Sequence, residues 1–93
     1  MRMIGNIEHP ELKITVFKMD DRVTVKFENQ AYEIGIKLGS NDQLNTMESI
    51  STWADQSLVK ALQQVMNQLH LHRLEADNRA FPAGLISEFE DII

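Results

Sequence analysis

Apolar residues alternate with polar ones from Leu12 to Leu38, and this pattern constrains the fold most strongly. A strand with one buried face repeats every two residues, so the alternation predicts an antiparallel meander over residues 1–38. The meander has three strands, or four if a short edge segment before Pro10 joins them. A slip of one residue would turn a whole strand's apolar side chains to water, so the alternation fixes the buried face. The predicted inward side chains are Leu12, Ile14, Val16, Val23, Val25, Phe27, Tyr32, Ile34, Ile36 and Leu38.

Two turns set the predicted pairing of these strands. A two-residue turn at Asp20-Asp21 places Val16 opposite Val25. A second two-residue turn, at Asn29-Gln30, places Val25 opposite Ile34 on its other side. Neither turn contains the glycine that tight hairpin turns favour, so a longer loop or a bulge remains the alternative in each hairpin.

The second half of the chain reads as a main helical region over residues 46–79, because apolar or small residues recur there at spacings of three and four. Thr46 and Thr52 are both suitable N-caps. We therefore expect either one helix from about residue 47 or a short turn followed by a main helix from about residue 53. The fold class is α+β, with the long helix packed on one face of the sheet in a single domain over residues 1–93. The predicted helical stripe is Ile50, Trp53, Ala54, Ser57, Leu58, Ala61, Leu62, Val65, Leu69 and Ala76.

Residues 82–93 form a short amphipathic segment that predicts a C-terminal helix. Alone it is too short to be stable, so it must dock on its own sheet or on another chain. Leu71 and Leu74 fall away from the helical stripe, and with this segment they give more apolar surface than one sheet face needs. We predict a non-catalytic protein-interaction domain that forms a homodimer or binds another protein. The candidate interface is Leu71, Leu74, Leu85, Ile86 and Phe89.

The outer face of the predicted sheet supports an alternative function, nucleic-acid binding. Its charged residues are four basic and two acidic, and the predicted register places Lys26 opposite Glu33. A three-stranded meander followed by a helix also occurs in domains that lay a sheet in the DNA major groove. The net charge of -5 disfavours non-specific attraction to phosphate. The candidate nucleic-acid face is Lys13, Phe17, Arg22, Lys26 and Lys37.

The sequence carries no motif for catalysis, a metal or a cofactor, and we predict none of the three. It has no cysteine, and it lacks the glycine-rich phosphate-binding and nucleophile-elbow patterns. His70 and His72 are two residues apart and cannot share an ion on a helix. A small enzyme using His72 and Glu75 would require a pocket beside the helix.

No apolar run reaches the ~18 residues of a membrane span and no signal peptide is recognisable, so we expect a cytoplasmic protein without membrane contact.

Overall fold

The computed structural model describes residues 1–81, in which four strands precede two helices. The elements are β1 (Arg2–Ile7), β2 (Lys13–Met19), β3 (Arg22–Glu28), β4 (Glu33–Gly39), α1 (Met47–Trp53) and α2 (Gln56–Ala80). The strands form one antiparallel sheet in the order β1-β2-β3-β4, which confirms the α+β class and the meander in its four-stranded version. The chain divides into two compact units, Met1–Leu62 and Gln63–Ile93, with the division inside α2. The C-terminal helix predicted for residues 82–93 lies outside the described residues.

The hairpin of β2 and β3 has the predicted register. Val16 lies opposite Val25 on the apolar face. One step along the same face, Ile14 lies opposite Phe27. Asp20 in the turn adopts a left-handed backbone with φ 57, which Asp tolerates better than most residues, so the turn forms without glycine.

The hairpin of β3 and β4 corrects the predicted register. The turn lies one residue later than predicted, which places Val25 opposite Ile36 instead of Ile34. Asn29 explains the difference, because its side-chain Oδ1 accepts hydrogen bonds at 2.8 Å from the backbone N–H groups two and three residues later. With this Asx turn, the loop between β3 and β4 covers residues 29–32. Since the register moves by two residues, the same side chains stay on the inner face.

The core of the first unit combines the inner face of the sheet with α1 and the start of α2. The Trp53 and Phe27 rings lie 6.4 Å apart between centroids with a tilt of 52°. The predicted inward side chains of β2 and β3 are buried, whereas those of β4 are half-buried because β4 is an edge strand with a neighbour on one side only. The buried apolar residues of this unit are Leu12, Ile14, Val16, Val23, Val25, Phe27, Ile50, Ala54 and Val59.

β1 forms the other edge of the sheet, and its pairing with β2 is interrupted by a bulge between Met3 and Gly5. α1 approaches the strand closely there. A Cβ added at Gly5 would lie 2.8 Å from the Sδ and Cε atoms of Met47, so a larger residue there would displace the end of this flexible side chain. His9 lies in the loop between β1 and β2, where its Nδ1 accepts hydrogen bonds at 3.1 and 3.2 Å from two backbone N–H groups that follow it.

The helical half has a short helix followed by a long one. Thr46 caps α1 in a reciprocal capping box with Ser49. Asp55 caps α2, because its Oδ1 accepts a hydrogen bond from the Leu58 N–H at 2.9 Å. The Thr52 hydroxyl instead donates to a carbonyl one turn back in α1, so of the two N-cap candidates in the sequence only Thr46 is a cap.

Candidate functional site

Two large apolar side chains lie exposed together on α2, within the second unit. Leu71 is 60% exposed and Leu74 is 45% exposed. Being three residues apart, they lie on one side of the helix, and we call them the Leu71–Leu74 strip. Both belong to the interface predicted from the sequence. The other three predicted interface residues, Leu85, Ile86 and Phe89, lie outside the described residues.

A second exposed strip on α2 corrects the predicted helical stripe. Val65 and Leu69 were expected in the core, but both are exposed, Val65 by 47%. The buried residues of α2 are instead Val59 and Met66, which are seven apart and share a face. Ile50 and Ala54, which belong to the same predicted stripe, are buried as expected. Spacings of three and four fit more than one face of α2, so periodicity alone does not separate the buried side from the exposed one. The Val65–Leu69 strip lies on roughly the opposite side of α2 from Leu71.

The histidines and charged residues of α2 point to solvent. His72 Nδ1 lies 3.1 Å from a Glu75 carboxylate oxygen, and the Arg73 guanidinium lies 3.8 Å from Asp77. Both His72 and Glu75 are exposed. An i,i+4 ion pair such as that of Arg73 with Asp77 stabilises a helix surface by about 0.3–0.5 kcal/mol. Within residues 1–81, no three His, Asp or Glu side chains are grouped so as to hold a metal ion.

On the outer face of the sheet, Lys26 and Phe17 lie together. The Lys26 Nζ is 5.3 Å from the centroid of the Phe17 ring, a cation–π distance. The same ammonium lies 3.8 Å from Glu28 and 3.8 Å from Glu33. The structure therefore joins two of the five residues of the candidate nucleic-acid face, but the contacts occupy both the cation and the ring within the protein.

The remaining residues of that face are dispersed. Lys13 lies opposite Glu28, near the loop that joins β3 and β4. Arg22 and Lys37 lie at the other end of the sheet, where they line a shallow recess of about 440 Å³. The other lining residues are Met1, Met19, Val23, Thr24, Leu38 and Gly39. Sequence reasoning missed this recess, because Leu38 stands in a bulge between the paired residues Lys37 and Gly39.

Comparison of the chain with protein-family models finds no match, and comparisons with curated proteins and with solved structures find no significant match. Among residues 1–81, no helix is both long enough and apolar enough to cross a membrane.

Proposed function

We propose that this chain is a non-catalytic protein-interaction domain that self-associates through the Leu71–Leu74 strip. The observation that carries the proposal is the exposure of these two leucines on one side of a regular helix. Fully burying a leucine stabilises a protein by about 1.5–3 kcal/mol, so a side chain with about half its surface exposed has about 1 kcal/mol still to gain. In a two-fold pair of helices each leucine contributes twice.

The surroundings of the strip fit a second copy of the same chain. Asn67 and Asn78 lie on the same side of α2 as the two leucines, and both are exposed and uncharged. A two-fold interface brings identical residues close together, so charged neighbours would repel one another. Amides pair with amides without that cost. We therefore expect α2 to lie against α2 of a second copy, with the leucines at the centre and amides at the rim.

Sedimentation velocity over a wide concentration range tests this interface. The variant L71Q/L74Q should shift the protein to a smaller species, while its far-UV circular dichroism spectrum and melting temperature stay close to those of the wild type. The matched control is V65Q/L69Q, which removes two apolar side chains from the opposite side of the same helix and should leave the association in place. A wild type that is monomeric at every concentration contradicts the proposal. Dissociation by the control variant alone would move the interface to the other strip.

Nucleic-acid recognition by the outer sheet face is the alternative, and the contacts of Lys26 make it the weaker one. A lysine that reads phosphate must leave Glu28, Glu33 and the Phe17 ring, and Phe17 can stack on a base only after Lys26 has moved. The recess beside Arg22 and Lys37 favours nucleic-acid binding more than Lys26 does, since neither side chain forms an ion pair within residues 1–81.

We place the protein in the cytoplasm, because a chain without cysteine needs no oxidising compartment.

A further inference from the structure

We infer that β4 pairs edge to edge with β4 of a second copy, antiparallel about a two-fold axis at Gly35. The result is one continuous sheet of eight strands, four from each copy. This interface goes beyond the proposed function, because it uses the first unit of the chain and involves no residue of α2. Evidence against one of the two interfaces is therefore not evidence against the other.

Within residues 1–81, β4 has a free hydrogen-bonding edge. It is the last strand of the sheet in this part of the chain, with β3 on one side only. The Asn29 N–H donates to the Tyr32 carbonyl at 2.9 Å, which closes the hairpin with a hydrogen-bonded pair. Antiparallel pairs alternate between bonded and non-bonded, so the backbone of Ile34 and Ile36 faces β3. The N–H and C=O groups of residues 33, 35 and 37 therefore point away from the sheet and are available to another strand.

The sequence of β4 is complementary to itself when it is reversed. It reads Glu33-Ile34-Gly35-Ile36-Lys37. With Gly35 opposite Gly35 of the second copy, each Glu33 lies opposite a Lys37, and each Ile34 lies opposite an Ile36. Opposite charges in directly facing cross-strand positions stabilise a sheet, and like charges destabilise it. A parallel pairing in register places Glu33 against Glu33, and an antiparallel pairing shifted by two residues loses both ion pairs. One register is therefore favoured.

The side chains at this edge are free to make these contacts. Lys37 forms no ion pair within residues 1–81, and 56% of the Glu33 side chain is exposed although Lys26 lies 3.8 Å from it. No atom of the described residues lies within 4 Å of the position that a Cβ would take on Gly35, so the outer face is open there at the two-fold axis. On the inner face Ile34 and Ile36 are half-buried, and a second β4 would extend the apolar surface beside them.

The opposite edge of the sheet lacks these features. β1 carries the bulge between Met3 and Gly5, and bulges disturb the straight row of backbone groups that strand addition requires. In β4 the bulge at Leu38 comes after the complementary segment and leaves residues 33–37 regular. An unrelated peptide gains the backbone hydrogen bonds of this edge but not its pattern of charges. Because the charges of β4 are complementary to those of the reversed strand, they favour a second copy of this chain as the partner.

Charge reversal tests the pairing on the full-length chain. In K37E each Glu33 faces a glutamate, and in E33K each Lys37 faces a lysine, so each variant replaces two attractive pairs with two repulsive ones. We expect each to weaken the dimer about tenfold or more at low salt, measured by sedimentation velocity. E8K is the matched control, because it reverses an exposed charge just after β1, at the opposite edge of the sheet from β4, and should leave the affinity unchanged.

Mixing the two variants gives the sharper result. A pair of one E33K chain and one K37E chain has opposite charges at both positions, so the mixture should associate about as tightly as the wild type, although each variant alone associates about tenfold more weakly. The double variant E33K/K37E should associate like the wild type for the same reason. Restored association also shows that each single variant is folded. Unchanged dimers in both single variants, or a mixture that stays dissociated, would overturn the inference.

The same measurements in an L71Q/L74Q background separate this interface from that of α2. Loss of association from K37E in that background, followed by its return on mixing with E33K, supports the β4 pairing whatever the leucine substitutions do. If L71Q/L74Q weakens association and neither K37E nor E33K changes it, the β4 interface is refuted and the proposed function is supported. If both interfaces exist, the wild type forms assemblies larger than a dimer, and each set of substitutions reduces them to dimers.

Discussion

The buried face of α2 gives the most direct quantitative test of the structure. Met66 is 2% exposed, whereas its neighbour Val65 is 47% exposed. Truncating a buried methionine to alanine costs about 2–5 kcal/mol of unfolding free energy, from lost burial and the cavity left behind. Since a domain of this length is stable by about 5–14 kcal/mol, M66A should remove a large share of the total. At about 4–8 °C per kcal/mol, its melting temperature should fall by at least about 8 °C.

Val65→Ala should behave differently although it changes the adjacent residue. Removing two methyl groups that are half exposed costs about 0.8 kcal/mol, and the better helix propensity of alanine returns about 0.5 kcal/mol. The net change is a few tenths of a kcal/mol. Both variants are measured by urea and thermal unfolding with circular dichroism, at two protein concentrations so that effects on association are separated. If V65A costs as much as M66A, the buried face assigned to α2 is wrong and the stripe read from the sequence is right.

Three smaller predictions follow from single contacts. Thr15 is buried and its Oγ1 has no hydrogen-bond partner among the residues that the structure describes, so Thr15→Val should raise the unfolding free energy by about 1 kcal/mol. A loss of stability in denaturant titration would reveal a partner for the hydroxyl. Thr46→Ala removes the α1 cap and should cost about 0.5–2 kcal/mol, against a smaller effect of Thr52→Ala, which is not a cap. Double-stranded DNA binding, measured by fluorescence anisotropy at low salt, should be weak. Any binding that persists in R22E/K26E does not use the outer face of the sheet.

The sheet was largely predictable because its pattern is redundant. Every inward position of β2 and β3 except Lys18 is apolar, and every outward position except Phe17 and Met19 is polar or charged, so one alternation fits the segment far better than the other. The helix was less predictable for the opposite reason. α2 has apolar residues on several sides, and a spacing of three and four describes Val59 with Met66 as well as Val65 with Leu69. Which side is buried depends on tertiary contacts, and periodicity does not contain them.

The turn after β3 decides what the edge of the sheet offers to a partner. In the predicted register Lys26 stands opposite Glu33, and that acid belongs to the sheet's own cross-strand pairs. The Asx turn at Asn29 moves β4 by two residues, so Gly35 takes the place opposite Lys26 and Glu33 moves toward the loop. Glu33 is then held from one side only, at 3.8 Å, and Lys37 stands opposite Thr24, which offers no charge. One side-chain hydrogen-bonding pattern in a loop thus leaves Glu33 with a single long ion pair and Lys37 with none within residues 1–81. Because these two residues lie at equal distances on either side of Gly35 in the sequence, β4 is complementary to itself.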